Sequence, residues 1–104
     1  MNLEKRDNYF FLKIQSANLT DFSKELDSLM KDPVNLILGL DKELINNSSL
    51  ILSLLKYSSF WKKSHKSFIL VVEDFIIENK NLVSVPTLNE AIDYLYMEEL
   101  ERNV

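Results

Sequence analysis

The segment Ser67-Phe-Ile-Leu-Val-Val-Glu73 gives the clearest strand signal in the chain, and Val34-Asn-Leu-Ile-Leu-Gly-Leu40 has the same character. Nearly continuous apolar runs of this length are typical of strands that are covered on both faces, as in the middle of an α/β sheet. Between the two runs, apolar residues recur at helical spacing over residues 50–61. Strand, helix and strand in this order predict a right-handed crossover and a largely parallel sheet.

The residues before Val34 extend this alternation. Asn8–Gln15 is rich in aromatic and apolar residues, which indicates a strand. The residues after it predict a helix capped by Asn18 or Thr20. Asp32-Pro33 ends that helix, because the residue before a proline avoids helical angles.

The later part of the chain continues the pattern. Asn47 or Ser48 is expected to cap a second helix that runs to about residue 65. A short strand over residues 82–85 follows, and Thr87 with Glu90 forms a capping box for the last helix. The predicted fold class is therefore α/β, in the order β-α-β-α-β-β-α, with about four strands and about three main helices in a single domain over residues 1–104.

The composition limits the classes of function. The chain has 104 residues, 46% of them hydrophobic, and a formal net charge of −4, which suits one globular core and not a disordered chain. Cysteine is absent, so disulfides and thiolate metal sites are excluded. An acidic balance argues against nucleic-acid binding, and the apolar runs are far shorter than the roughly 20 residues of a membrane span. Because the charged start of the chain lacks the apolar region of a signal peptide, we expect a soluble cytoplasmic protein with no membrane or nucleic-acid partner.

One segment is rich in basic residues, although the chain has a negative net charge. This basic cluster consists of Lys56, Lys62, Lys63, His65 and Lys66. Cations suit the last turn of a helix because they offset the negative end of the helix dipole, and this is the interpretation we favour. A basic docking patch is the alternative.

No set of residues indicates catalysis or cofactor binding. His65 is the only histidine, and it lies among lysines that would repel a metal cation. The many serines have neither a neighbouring base nor a Gly-x-Ser-x-Gly turn to activate a hydroxyl. The single glycine, Gly39, lies inside an apolar run, whereas phosphate-binding loops need several glycines. We therefore predict no enzyme, no metal site and no cofactor, and we expect the surface to bind a protein partner.

Two features indicate contact surfaces. The second predicted helix has a wider apolar face than one sheet contact requires, and a homodimer could form through it. This face consists of Leu50, Ile51, Leu54, Leu55 and Trp61. Tyr94 and Tyr96 are candidates for a second patch, because tyrosine is enriched at interfaces; alternatively, one of the two completes the core.

Several stretches resemble the STAS domain, the fold of bacterial anti-sigma factor antagonists. Val34–Leu40 is similar to a buried strand of that family, and Ser67–Val72 to the next one. Ile45-Asn-Asn-Ser-Ser-Leu50 lies where the family has a loop and a helix that starts with an Asp-Ser-Ser/Thr-Gly-Leu-type motif. Val85–Asp93 and Met97–Arg102 resemble the end of short bacterial members, so the resemblance covers nearly the whole chain.

The motif itself departs from the family pattern. In typical members a partner kinase phosphorylates the motif serine, and the added charge switches the interface. When the chain is aligned on Leu50, Asn47 stands at the phosphorylated position and Ser49 replaces the glycine. Shifted by one residue, Ser48 takes that position and Leu50 replaces the glycine. The phospho-switch motif is degenerate in either alignment, and Ser48 and Ser49 are the candidate phosphosites, although a role of Ser48 as a plain helix cap is favoured.

The resemblance implies a short, divergent, non-catalytic regulator of the anti-sigma-factor-antagonist type. Its expected docking region is the loop 41–49 with the first turns of the second helix. The predicted partner interface consists of Leu44, Asn46, Asn47, Leu50 and Ile51. Two alternatives remain open, a phospho-regulated switch that uses Ser48 or Ser49, and a small-ligand binder or enzyme with an unrecognised site. A ribonuclease Z activity is not expected, because a histidine-rich dinuclear zinc site cannot be built from one histidine.

Overall fold

A mixed sheet of five strands runs through the computed structural model, which describes residues 3–103, so the ends of the predicted 1–104 domain lie outside the described residues. The strands follow one another across the sheet in chain order: β1 (Leu3–Lys5), β2 (Phe10–Ile14), β3 (Leu36–Leu40), β4 (Phe68–Val71) and β5 (Val83–Val85). β2 to β5 are parallel, and β1 is antiparallel to β2. The predicted α/β class with a mostly parallel sheet is confirmed.

The prediction of about four strands is wrong by one, because it omits β1. This strand is only three residues long, and two of them, Glu4 and Lys5, are charged and exposed. A turn with a hydrogen bond from the Arg6 N–H to the Tyr9 carbonyl returns the chain into β2. This strand forms through backbone pairing at the sheet edge, so its sequence has no pattern of buried side chains from which the strand could be predicted.

Three helices connect and flank the strands: α1 (Leu19–Leu29), α2 (Ser48–Lys63) and α3 (Leu88–Arg102). The Thr87 cap of α3 is confirmed, since its hydroxyl accepts a hydrogen bond from the Glu90 N–H at 3.1 Å. Asn47 caps α2 in the same way, and Ser48 is the first helical residue, so the favoured role of Ser48 as a cap is wrong. Asn18 stands at the start of α1, but its side chain accepts from the Gln15 N–H instead.

The helices cover both faces of the sheet. α1 and α2 pack on one face, where Leu26, Leu54 and Trp61 meet alternate strand residues such as Leu38 and Leu70. α3 packs on the other face through Ala91 and Leu95, which contact Ile37 and Ile69. All five residues of β3 are buried, as its continuous apolar sequence predicts.

The tyrosines of α3 lie outside this core. Tyr94 and Tyr96 are exposed, whereas Leu95 between them is fully buried. Either tyrosine is thus available for contacts at the surface. Among residues 3–103, the structure has no helix with the length and apolar composition that crossing a membrane requires.

Candidate functional site

The predicted docking region lies at the edge of the sheet where the parallel strands have their carboxyl ends. β3 ends at Leu40, and the chain then forms a short 3₁₀ helix, Lys42–Asn46, before α2 begins. Hydrogen bonds from the Leu44 N–H to the Asp41 carbonyl (2.9 Å) and from the Asn47 N–H to the Leu44 carbonyl (3.0 Å) hold this turn. Open α/β sheets most often bind ligands at this edge.

The five predicted interface residues divide into two groups. Leu44 and Leu50 are 5% and 3% exposed and belong to the core, so they support the surface from beneath and do not form it. Asn46 is exposed, and Asn47 and Ile51 are half-buried. The two leucines differ from the expectation because the 3₁₀ turn and the inner face of α2 both direct apolar side chains towards the sheet.

The exposed side chains of this region form a docking ridge, defined as Asn46, Ser48, Ser49 and Leu52. Leu52 is 63% exposed and follows the two serines by one helical turn. Leu52 is not among the five predicted interface residues, although its distance of two residues from Leu50 indicates the opposite side of the helix. Two residues of a helix turn the side chain through about 200°, so Leu52 lies opposite the buried Leu50.

The caps and the core make this ridge rigid. The Asn47 Oδ1 atom accepts a hydrogen bond from the Leu50 N–H at 3.0 Å, which fixes the start of α2. The hydroxyls of Ser48 and Ser49 therefore remain free of the capping role and are exposed in the first turn of the helix. The first backbone N–H groups of a helix lack intrahelical acceptors, and this end of the helix dipole is positive.

An open cavity of ≈ 370 Å³ lies at the carboxyl ends of β2, β3 and β4, on the face of the sheet that α3 covers. Gly39 forms part of its floor, and a Cβ atom there would lie 3.0 Å from Cζ of Phe11, so the missing side chain makes room for the aromatic ring. Lys13 and Asp41 form an ion pair of 3.9 Å at the rim. The other charged residues of the lining are Lys42, Glu73 and Asp74, so the cavity has mixed charge.

The described residues contain no group of three or more His, Cys, Asp or Glu side chains placed to hold a metal ion. No family model matches the sequence, and no curated protein is significantly similar to it. The relation to the STAS domain accordingly stays a prediction that rests on the sequence stretches quoted above.

Proposed function

We propose that this chain is a non-catalytic protein-binding domain, a short STAS-like regulator that docks on a protein partner through the docking ridge. The observation that carries the proposal is the exposure of Leu52, 63% of which is open to solvent beside the polar side chains of Ser48 and Ser49. An apolar side chain within a polar rim is the usual anatomy of a protein interface.

The setting of the ridge favours binding. Leu44 and Leu50 anchor it to the core, and Asn47 fixes its backbone, so little conformational entropy is lost when a partner docks. The ridge is small, and we therefore expect a weak and transient complex of the kind common in signalling.

The test compares two leucines of similar exposure. Leu52→Asp places a charge on the ridge, and Leu100→Asp places the same charge on α3, where Leu100 is 69% exposed. Tagged full-length chains would be mixed with extracts of the cells that produce the protein, and captured proteins compared with those of the wild type. We expect L52D to lose a specific protein that L100D retains. Equal capture by both variants would contradict the proposal.

A second copy of this chain is the simplest competing partner. Light scattering over a range of concentrations measures the mass of the isolated chain. We expect the isolated chain to be a monomer. A dimer that L52D dissociates and L100D does not would assign the ridge to self-association instead.

The phospho-regulated form of this function is the second candidate, because Ser48 and Ser49 both expose their hydroxyls on the ridge. A phosphate in the first turn of α2 would add charge next to Leu52 without opposing the helix dipole. The mass of the intact protein from its own cells would reveal the modification. We expect Ser48→Glu to change partner capture and Ser48→Ala to leave it unchanged; no added phosphate under any growth condition would exclude this form.

A further inference from the structure

A cleft of ≈ 900 Å³ lies between α2 and α3 at the β5 edge of the sheet, and no residue of the docking ridge lines it. Leu55 and Lys62 of α2 line one wall, and Tyr94, Glu98 and Arg102 of α3 line the other. The two helices pack on opposite faces of the sheet, so the cleft opens along the sheet edge that separates them.

The cleft exists because β5 is short. β5 pairs only with Ile69–Val71, so Phe68 at the start of β4 extends beyond the first residue of β5. Phe68 and Val83 therefore line the cleft. Leu55 and Tyr94 also line the cleft, so part of its lining is apolar.

The charged lining of this cleft is basic, although the chain as a whole has a net charge of −4. Its cationic residues are Lys62, Lys66, Lys80 and Arg102, against the one acidic residue Glu98, and His65 lies beside them. The dipole of α2 accounts for cations in its last turn, such as Lys62, but not for Lys80, which comes from the segment before β5. The favoured interpretation of the basic cluster is thus confirmed for Lys62 and Lys63, which lie in the last turn of α2, whereas Lys66 lies beyond the helix and lines the cleft with Lys80.

Glu98 shows what else an occupant should offer. Its Oε1 atom is buried and has no hydrogen-bond partner among the described residues. A buried acceptor without a donor is costly, and a donor supplied by a ligand would remove that cost. The occupant should therefore carry negative charge and also N–H groups.

We propose that this basic cleft binds an acidic, extended peptide segment of a partner protein. Carboxylates would meet the lysines, a backbone N–H would meet the half-buried Glu98 side chain, and an apolar side chain would lie against Leu55 and Tyr94. The shape agrees with this ligand. Tyr94, Glu98 and Arg102 follow one another at four-residue spacing, which spans about 12 Å along a helix, the length of about four extended residues.

The test measures fluorescence anisotropy of a labelled peptide, Asp-Glu-Phe-Asp-Glu, with the full-length chain. We expect binding that weakens with added salt and that the uncharged analogue Asn-Gln-Phe-Asn-Gln does not show. Lys62→Ala/Lys66→Ala removes two charges from the cleft. The matched control, Lys56→Ala/Lys63→Ala, removes two exposed charges of α2 that do not line it. We expect the first pair to weaken binding about tenfold and the control to change it less than about twofold.

Several outcomes would overturn the proposal. They are an absence of binding at low salt, an equal loss in the two double variants, and tighter binding of a single-stranded oligonucleotide than of the peptide. Glu98→Ala separates a specific site from simple charge attraction, because it makes the cleft more positive. We expect weaker peptide binding; tighter binding would refute the role of Glu98. The pair Lys62→Ala/Lys66→Ala leaves every residue of the docking ridge unchanged, so it should capture the partner of the ridge as the wild type does, and the two tests can fail separately.

Discussion

Nε1 of Trp61 donates a hydrogen bond to the carbonyl oxygen of Val34 over 2.7 Å. The indole is fully buried and makes edge contacts with the rings of Tyr57 and Phe60 and a tilted contact with Phe68. Val34 precedes β3, and Phe68 begins β4. One side chain of α2 thus links the amino ends of two central strands.

Trp61→Phe should lower the free energy of unfolding by about 2–4 kcal/mol. The smaller ring leaves a cavity in the core, and the Val34 carbonyl loses its donor, which by itself costs about 1–3 kcal/mol. Urea unfolding followed by circular dichroism measures the change. Tyr96→Phe, at an exposed position, is the control and should change stability by less than about 0.5 kcal/mol. Equal stability of the two variants would contradict this role of Trp61.

Asn35 also stabilises the amino-terminal end of the central strands, next to Val34. Its Oδ1 accepts a hydrogen bond from the Ser67 N–H at 2.9 Å, and its Nδ2 donates to the Asn8 carbonyl at 3.0 Å. Weaker contacts of 3.4 Å reach Glu99 and Arg102 near the end of α3. The side chain is 6% exposed, so one buried amide connects the residues just before β2 and β4 with the end of α3.

Asn35→Ala should therefore destabilise the fold by about 2–4 kcal/mol, because it leaves two backbone groups without partners at about 1–3 kcal/mol each. Thermal and urea unfolding would both show the loss. Asn89→Ala, at an exposed position of α3, provides the matched control. A change below about 0.5 kcal/mol in Asn35→Ala would mean that water replaces the amide without cost.

The start of α2 gives a prediction that distinguishes two neighbouring residues. Asn47→Ala should lower the free energy of unfolding by about 1 kcal/mol, the usual cost of a lost helix cap. Ser48→Ala should change it by less than about 0.5 kcal/mol, since this hydroxyl is exposed and does not cap the helix. Denaturant unfolding of both variants would measure the two changes in the free energy of unfolding. A larger effect of Ser48→Ala would restore Ser48 as the cap.

The central part of the fold could be predicted from the sequence because its signals are local. The apolar run of Leu36–Leu40 is long enough to show that both sides of β3 are covered, and the spacing of Thr87 and Glu90 marks the start of α3. β1 could not be found in this way, because its charged residues carry no burial pattern and its pairing depends on a partner strand.

The docking ridge and the basic cleft also differ in how far local sequence patterns predict them. The position of the docking region follows from the end of β3, but α2 is apolar on so many sides that Leu50 and Leu52 were not separated into buried and exposed residues. The basic cleft depends on three distant segments, with Lys62, Lys80 and Arg102 brought together only by the packing of α3 on the second face. Local patterns do not contain that relation.

The contact between Tyr57 and Asp27 should make stability depend on pH in the alkaline range. The Tyr57 hydroxyl donates to Oδ1 of Asp27 at 2.8 Å and so links α2 to α1. Burial, and then this hydrogen bond, raise the pKa of Tyr57 above its ordinary value of 10.0. Between pH 10.0 and the raised pKa, Tyr57 loses its phenol proton in the unfolded chain but keeps it in the folded chain. The contribution of Tyr57 is therefore complete below pH 10 and falls as pH rises beyond it.

Tyr57→Phe isolates this effect from the titration of the lysines, which both proteins share. The wild type should be the more stable at about pH 8, because a hydrogen bond to a charged group contributes about 1.5–3 kcal/mol when well buried and less at this half-exposed site. We expect the difference between the two proteins to shrink when unfolding is measured at about pH 11. A constant difference over this range would show that Tyr57 ionises equally in both states, and a growing one that folding lowers the pKa of Tyr57; either result would contradict the role of the contact with Asp27.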